Sequence, residues 1–346
     1  MTSTSDNEVA TTGHAIHARG LTKHFLVPVR EPGLRSALRS VVRREHRTVR
    51  AVDDVDITIA HGEIVGFLGP NGAGKTTTLK MLAGLLHPSH GEATVLGYEP
   101  YRRDRSFLRR ISLVMGQRHQ LNWDIPAADS FEMLRSIYNL NTAAYDSQRA
   151  KLVDLLDLSG ILDKPVRQLS LGERMKCELA AALLHEPEVL FLDEPTLGLD
   201  VTAQRRVREF ISEYARSSGA TVLLTSHYMA DIEALAERVL VIHHGSLQFD
   251  GALADLTRTM SNHKLITVRT DPNAGHDKID AVTNLLKSRS DSVASDGNEL
   301  VVELPRDAVR SALRDLLTHD VVLDFTVEDE PIEHVIDRVF STGTTS

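Results

Sequence analysis

The chain has 346 residues, 42% of them apolar and 25% charged, a balance that excludes an intrinsically disordered or low-complexity protein. Its net charge of −9 supplies no global basic field, so a nucleic-acid partner is not expected. The single cysteine, Cys177, excludes a disulfide framework and reads as a small buried helix residue, while no apolar run approaches the ~20 residues of a membrane-spanning helix.

Residues 1–13 are polar, lack the apolar stretch of a signal peptide, and read as a disordered tail. A strand is expected over 15–25, followed by a basic insertion over 26–50. Arginines stand at 30, 35, 39, 43, 44, 47 and 50, against Glu31 and Glu45, and Leu34, Leu38, Val41 and Val42 share one helical face. Such a helix over 30–50 can lie on an anionic membrane surface, dock a partner, or simply be solvated. Residues 49–59 alternate as a strand does, and the apolar run 64–68 reads as a buried one. Helical spacing then covers 75–86 and stops at Pro88.

Strand signals recur at 93–96 and 111–115, and residues from about 118 to 186 carry apolar residues at helical spacing, the pattern of an inserted helical subdomain. Strand, helix, strand follow at 189–192, 201–216 and 221–225, and two short strands at 238–243 and 246–249 close a unit spanning 14–256. This alternation points to a mostly parallel α/β sheet. Residues 263–346 read as a separate small α+β domain of ferredoxin-like type: strand 265–269, helix 278–288, strand 299–304, helix 308–317, strand 321–327 and a last helix over 332–340.

Between the strand 64–68 and the helix that starts at Lys75 lie Gly69, Pro70, Asn71, Gly72, Ala73 and Gly74, followed by Lys75, Thr76 and Thr77. This is the G-x-x-x-x-G-K-[ST] pattern in the context that gives it meaning. Glycines let backbone N–H groups turn inward around phosphate oxygens, and the helix N-terminus adds its positive dipole end. Lys75 would reach the β and γ phosphates of ATP, and the Thr76 hydroxyl would ligate Mg²⁺. The strand 189–192 ends in Asp193 and Glu194, where α/β sheets place ligands. Asp193 would serve the metal, and Glu194 would orient the attacking water as general base. His227, after the strand 221–225, would bond the γ-phosphate, and Gln117, after 113–116, would contact Mg²⁺ or water, with Gln120 the weaker alternative.

These elements in this order, over 15–256, resemble ABC ATPase subunits. The diagnostic stretch is Leu169-Ser170-Leu171-Gly172-Glu173 ahead of Asp193-Glu194, with Leu171 in place of the family's usual Gly and Glu173 in place of its usual Gln. The resemblance implies a P-loop core with an antiparallel β subdomain and the inserted helical subdomain. It further implies that Ser170 and Gly172 bind the ATP of a second copy in a head-to-tail dimer, that Leu199-Asp200 signals across that dimer, and that Phe25 stacks on adenine. Gln117-Arg118, Trp123-Asp124, the stretch 169–176 and 225–229 together look most like the ABC-2 exporter branch. The implied function is an ATP-hydrolysing motor at the cytoplasmic face of the membrane, driving transmembrane permease subunits that are separate polypeptides. The alternative is a non-transport ABC ATPase acting on ribosomes or nucleic acid.

Overall fold

The structure is a computed structural model that describes residues 13–28, 46–116, 120–226, 228–260, 263–290, 293–330 and 335. The chain divides into two compact units, residues 1–250 and 251–346. That division falls ahead of the expected 256/263 boundary, because the helix Leu253–Met260 groups with the C-terminal residues.

In the first unit, β1 (His14–Pro28) lies between β2 (His46–Ala60) and β4 (His90–Val95), antiparallel to both. This is the expected antiparallel subdomain. The insertion is narrower than 26–50, because β1 runs on to Pro28 and β2 already begins at His46, with Phe25 paired to Val49 and Leu26 to Thr48. The β-branched Thr48 and Val49 carry the hairpin back into the segment read as basic helix. Arg30, Arg35, Arg39, Arg43 and Arg44 lie outside the described residues.

The second sheet has the strand order β5-β6-β7-β3-β8-β9. Its members are β3 (Ile64–Leu68), β5 (Ile111–Met115), β6 (Val189–Asp193), β7 (Thr221–Thr225), β8 (Arg238–His243) and β9 (Ser246–Ala252). Strands β5, β6, β7, β3 and β8 pair in parallel. β7 is buried along its whole length, as a parallel strand covered on both faces must be. Register lines up Met115 with Asp193, Asp193 with Thr225, and Thr225 with Phe67, so four strands end in one row.

Helix α1 (Lys75–Leu82) follows β3 and stops four residues short of the expected 86. Leu85 and Leu86 keep the apolar spacing, but Gly84 adopts φ +71° and the amides of Leu85 and Leu86 both turn back to the Lys80 carbonyl. The short α2 (Arg105–Leu108) leads into β5. The helical subdomain is as read: α3 (Ala127–Tyr138), α4 (Thr142–Leu156) and α5 (Leu171–Leu183). Cys177 is buried within α5, and burial pushes its thiol up to about 12. Helix α6 (Val201–Ser218) and α7 (Met229–Leu235) complete the unit. No helix among the described residues is long and apolar enough to cross a membrane.

The second unit opens with α8 (Leu253–Met260) and continues β10 (His263–Thr270), α9 (His276–Lys287), β11 (Val293–Asp296), β12 (Glu299–Pro305), α10 (Arg306–Leu316) and β13 (Val322–Asp329). The sheet order β11-β12-β10-β13, antiparallel throughout, is the ferredoxin-like arrangement. Its core is built from Ile266, Val268, Val282, Leu286, Val302 and Leu316. Strand β11 is an addition to the sequence reading: Val293–Asp296 is short and mostly polar, and only its hairpin with β12 through Gly297 (φ +61°) gives it away. The expected helix over 332–340 lies outside the described residues, save Val335.

Candidate phosphate and hydrolysis site

The site is assembled where β3, β6 and β7 end side by side. The loop 69–74 joins β3 to α1 and is held against neighbouring backbone. Gly245 donates its N–H to Ala73 O at 3.0 Å, and Asp53 donates to Gly245 O at 2.9 Å. Two glycines are required by space. A Cβ at Gly69 would collide with the Ile242 carbonyl oxygen, and one at Gly74, where φ is +114°, would stand 2.5 Å from Ala51 O. Only glycine lets the loop close this tightly on its support while its amides turn inward.

Lys75 is the first residue of α1 and is 5% exposed. Its Nζ donates to the carbonyls of Gly69 and, at 3.2 Å, Pro70. Burial lowers its pKa, and the nearby carboxylates of Glu194 and Asp193 oppose that shift. A buried ammonium near two carboxylates, inside a glycine loop, is poised to trade carbonyl contacts for an anionic ligand.

Thr76 Oγ1 lies 2.9 Å from both Asp193 oxygens, and Thr225 Oγ1 donates to Asp193 Oδ1, also at 2.9 Å. The Glu194 amide donates to Thr225 Oγ1 at 3.0 Å and to Thr225 O at 3.1 Å. Thr225 thus clamps both acidic residues, a role no motif spacing signalled. Glu194 itself sits at φ +54°, a left-handed conformation that turns the chain sharply out of β6. The donor set Thr76 hydroxyl plus Asp193 carboxylate is all oxygen, which fits a hard cation such as Mg²⁺.

A second group forms at the start of α5. Ser170 is its N-cap, taking the Glu173 N–H at 3.2 Å, while Glu173 Oε2 takes the Ser170 N–H at 2.8 Å. This reciprocal box explains what Glu173 does in place of the family's glutamine: those hydrogen bonds lower its pKa, so it stays charged at the helix N-terminus. Gly172 packs on the first turn of α6, where an added Cβ would meet Ala203 Cβ at 3.3 Å, and Leu171 Cδ2 would be 3.1 Å from a Cβ at Gly198. Asp200 caps α6 through Ala203 N at 2.9 Å. The structure therefore brings Ser170, Gly172 and Asp200 together.

The family model described as ABC transporter matches residues 52–197. The ATP-binding protein NatA of Bacillus subtilis is 37% identical over 210 residues, covering 61% of this chain and 85% of that protein. The chain belongs to the ABC transporter family. It is an ATP-binding, ATPase subunit of that family. The daunorubicin/doxorubicin resistance ATP-binding protein DrrA of Streptomyces peucetius is 35% identical, covering 62% of this chain and 65% of that protein. The bacitracin transport ATP-binding protein BcrA of Bacillus licheniformis is 34% identical, covering 57% and 63%. For these two the chain spans a little under two thirds of the relative's length. Among solved structures, an ATP-binding subunit of an ABC transporter superposes with a TM-score of 0.58 at 24% identity, covering 71% of this chain and 92% of that one. A dimeric bacterial ABC transporter cassette gives 0.57 at 21%, covering 69% and 98%. Both establish the cassette fold.

The remaining expected residues of the cassette divide in two. Phe25 is an exposed aromatic on β1, with Lys23 Nζ 5.4 Å from its ring centroid. Gln117 and His227 lie outside the described residues; the Gly116 amide beside Gln117 donates to Asp193 O at 3.1 Å. Gln120 points elsewhere, its Nε2 donating to Leu113 O and its amide to the buried Glu178 Oε2 at 2.8 Å. Glu178 had no motif to announce it. It anchors Gln120 to α5.

Proposed function

We propose that this chain is the nucleotide-hydrolysing motor of an exporter, working with permease subunits encoded separately. ATP lies on the loop 69–77, with Lys75 at its β and γ phosphates. Thr76, Asp193 and Gln117 would hold Mg²⁺, which would supply charge neutralisation at the phosphates. Glu194 orients the attacking water, and His227 bonds the γ-phosphate. Two copies close head-to-tail, so that Ser170, Gly172 and the α5 N-terminus of one meet the ATP of the other, with Asp200 at the joint and Phe25 against adenine.

The observation that carries the hydrolysis reading is the bond system from Thr76 through Asp193 to Thr225 and the Glu194 amide. It ties the cradle, the metal carboxylate and the base into one rigid row. Export is supported by the similarity to DrrA, a daunorubicin/doxorubicin resistance protein, and BcrA, a bacitracin transport protein. A permease partner at the cytoplasmic face of the membrane is supported by a groove of about 600 Å³ between α2, β5 and α3. Leu85, Leu108, Leu113 and Ile137 line it beside Arg105 and Arg109, and Leu85 and Ile137 are exposed. An apolar channel with a basic rim fits an amphipathic permease segment with acidic flanks. The basic stretch 30–50 would add contact with anionic lipid.

The test is affinity capture from detergent-solubilised native membranes, using Glu194→Gln with ATP and Mg²⁺. Recovery of a multi-span membrane protein is expected. Recovery of ribosomal or DNA-associated proteins alone would overturn the transport reading and leave the ATPase chemistry standing.

A further inference from the structure

Asp231, on α7, is completely buried, which for a carboxylate is tolerable only with matched donors. It has three. Arg208 Nη1 of α6 donates to Oδ1 at 2.9 Å, Ser226 Oγ donates to Oδ2 at 2.7 Å, and Thr196 Oγ1 also donates to Oδ2. Thr196 and Ser226 are themselves buried. These partners come from three separate stretches: the turn after Glu194, the helix that Asp200 caps, and the exit from β7.

Each partner also shapes backbone. The Ser226 hydroxyl accepts the Tyr228 N–H at 3.0 Å, and Asp231 N donates to Tyr228 O at 3.1 Å, so both neighbours of His227 are tied to Asp231. On the other side, Leu197 N bonds Glu194 O and Leu199 N bonds Thr196 O, both at 3.2 Å, which makes 194–199 a continuous turn. The glycine loop 69–74 packs on other residues, Ala51, Ile242 and Gly245.

We infer that Asp231 is a positioning residue for hydrolysis: its buried bonds to Thr196, Ser226 and Arg208 hold the Glu194 turn, the flanks of His227 and the Asp200-capped helix in one mutual arrangement. The inference rests on the proposed roles of Glu194 and His227. Because the loop's own contacts are to Ala51, Ile242 and Gly245 and none is to Asp231, loosening Asp231 leaves ATP binding largely intact and slows turnover. Small misplacement of a water-orienting base costs rate steeply, whereas phosphate contacts made by the loop are unaffected.

The experiment measures kcat, KM and the equilibrium Kd for fluorescent mant-ATP with Mg²⁺, beside thermal denaturation, in full-length protein. Asp231→Asn keeps the shape and removes the charge. Ser226→Ala and Thr196→Val leave the Arg208–Asp231 pair in place and decide the matter if Asp231→Asn does not fold. The expected result is a fall in kcat of about tenfold for Asp231→Asn and a few-fold for the hydroxyl variants, with Kd for mant-ATP within about threefold of the unaltered chain. Folded variants with unchanged kcat would overturn the inference, and so would a parallel loss of Kd, Tm and kcat, which marks a merely structural group. Glu194→Gln run alongside separates the two levels. If it abolishes turnover while the Asp231-network variants do not slow, only this inference fails; if it turns over normally, the hydrolysis reading fails and takes this inference with it.

Discussion

Thr76 and Asp193, 117 residues apart in the chain, meet with the threonine hydroxyl 2.9 Å from each carboxylate oxygen. The contact joins the first turn of the phosphate-loop helix to the end of β6, and Thr225 on the next strand bonds the same carboxylate. Two hydroxyls and a carboxylate converging at strand ends make a compact oxygen-donor set. Asp193→Asn should retain nucleotide binding in the absence of divalent cation but lose most of the tightening that Mg²⁺ gives. Binding titrations with and without Mg²⁺ check this, and an undiminished Mg²⁺ effect would remove Asp193 from the metal's ligands.

Lys75→Ala should weaken ATP binding by about tenfold or more, since a charge-assisted contact to phosphate is removed from a buried site. The same titration read at fixed Mg²⁺ reports it, and an affinity equal to that of the unaltered chain would contradict the cradle assignment.

Gly74→Ala tests the loop's geometry apart from its charge. With φ at +114° and Ala51 O in the way, the new Cβ forces the loop off its support, at a cost of about 1–3 kcal/mol. Both Tm and ATP affinity should fall. Gly72→Ala is the control, because nothing lies within 4 Å of its Cβ, although its φ of +82° still carries strain. The Gly74 variant should therefore be the worse of the two.

The cassette was legible in the sequence because its chemistry is local. The loop 69–76, the pair Asp193-Glu194 and the stretch 169–173 are contiguous, and each abuts an apolar run that fixes its place at a strand or helix end. What was not legible is long-range. Thr196, Arg208, Ser226 and Asp231 share no spacing rule, and only the packing of α6 and α7 brings them together. Gly84 cut α1 short although Leu85 and Leu86 continue its apolar pattern, and a polar four-residue strand, β11, carries no alternation to read. The hairpin ends at 26–28 and 46–48 were hidden, because the arginines that follow Pro28 and flank Thr48 read as a basic insertion.

His185 gives the fold a pH dependence. Its ring stacks on Tyr138 at 4.0 Å, its Nε2 lies 3.0 Å from Ile111 O, and burial lowers its pKa. The folded chain therefore holds this proton less readily than the unfolded chain does. The stability contributed is present above the unfolded histidine value, about 6.5, and is lost as pH falls toward the lower folded one. Melting at pH 7.5 and about pH 5.5 should show a smaller difference for His185→Gln, which keeps a donor for Ile111 O and cannot titrate. An equal pH difference in both proteins would exclude His185 as the source.

Ser170→Ala should lower stability by about 1 kcal/mol through loss of the α5 cap. In the same sense as His185 but at lower pH, the Glu173 half of the box weakens only in acid: its lowered pKa means its contribution is present above the ordinary carboxylate range and fades as pH drops through the folded value. Urea unfolding of Ser170→Ala and Glu173→Ala at neutral pH measures both, and no change in either would show that the box contributes nothing to the fold.

The proposed hydrolysis site is the row of strand ends bearing Asp193, Glu194 and Thr225, beside the loop before α1. The most direct measurement is phosphate release by purified Glu194→Gln compared with the unaltered chain, at saturating ATP and Mg²⁺. A fall of about 100-fold or more is predicted, the usual worth of a positioned general base. Phosphate release at the unaltered rate would contradict the account, because Glu194 is the one described carboxylate placed beside Asp193 at the end of β6.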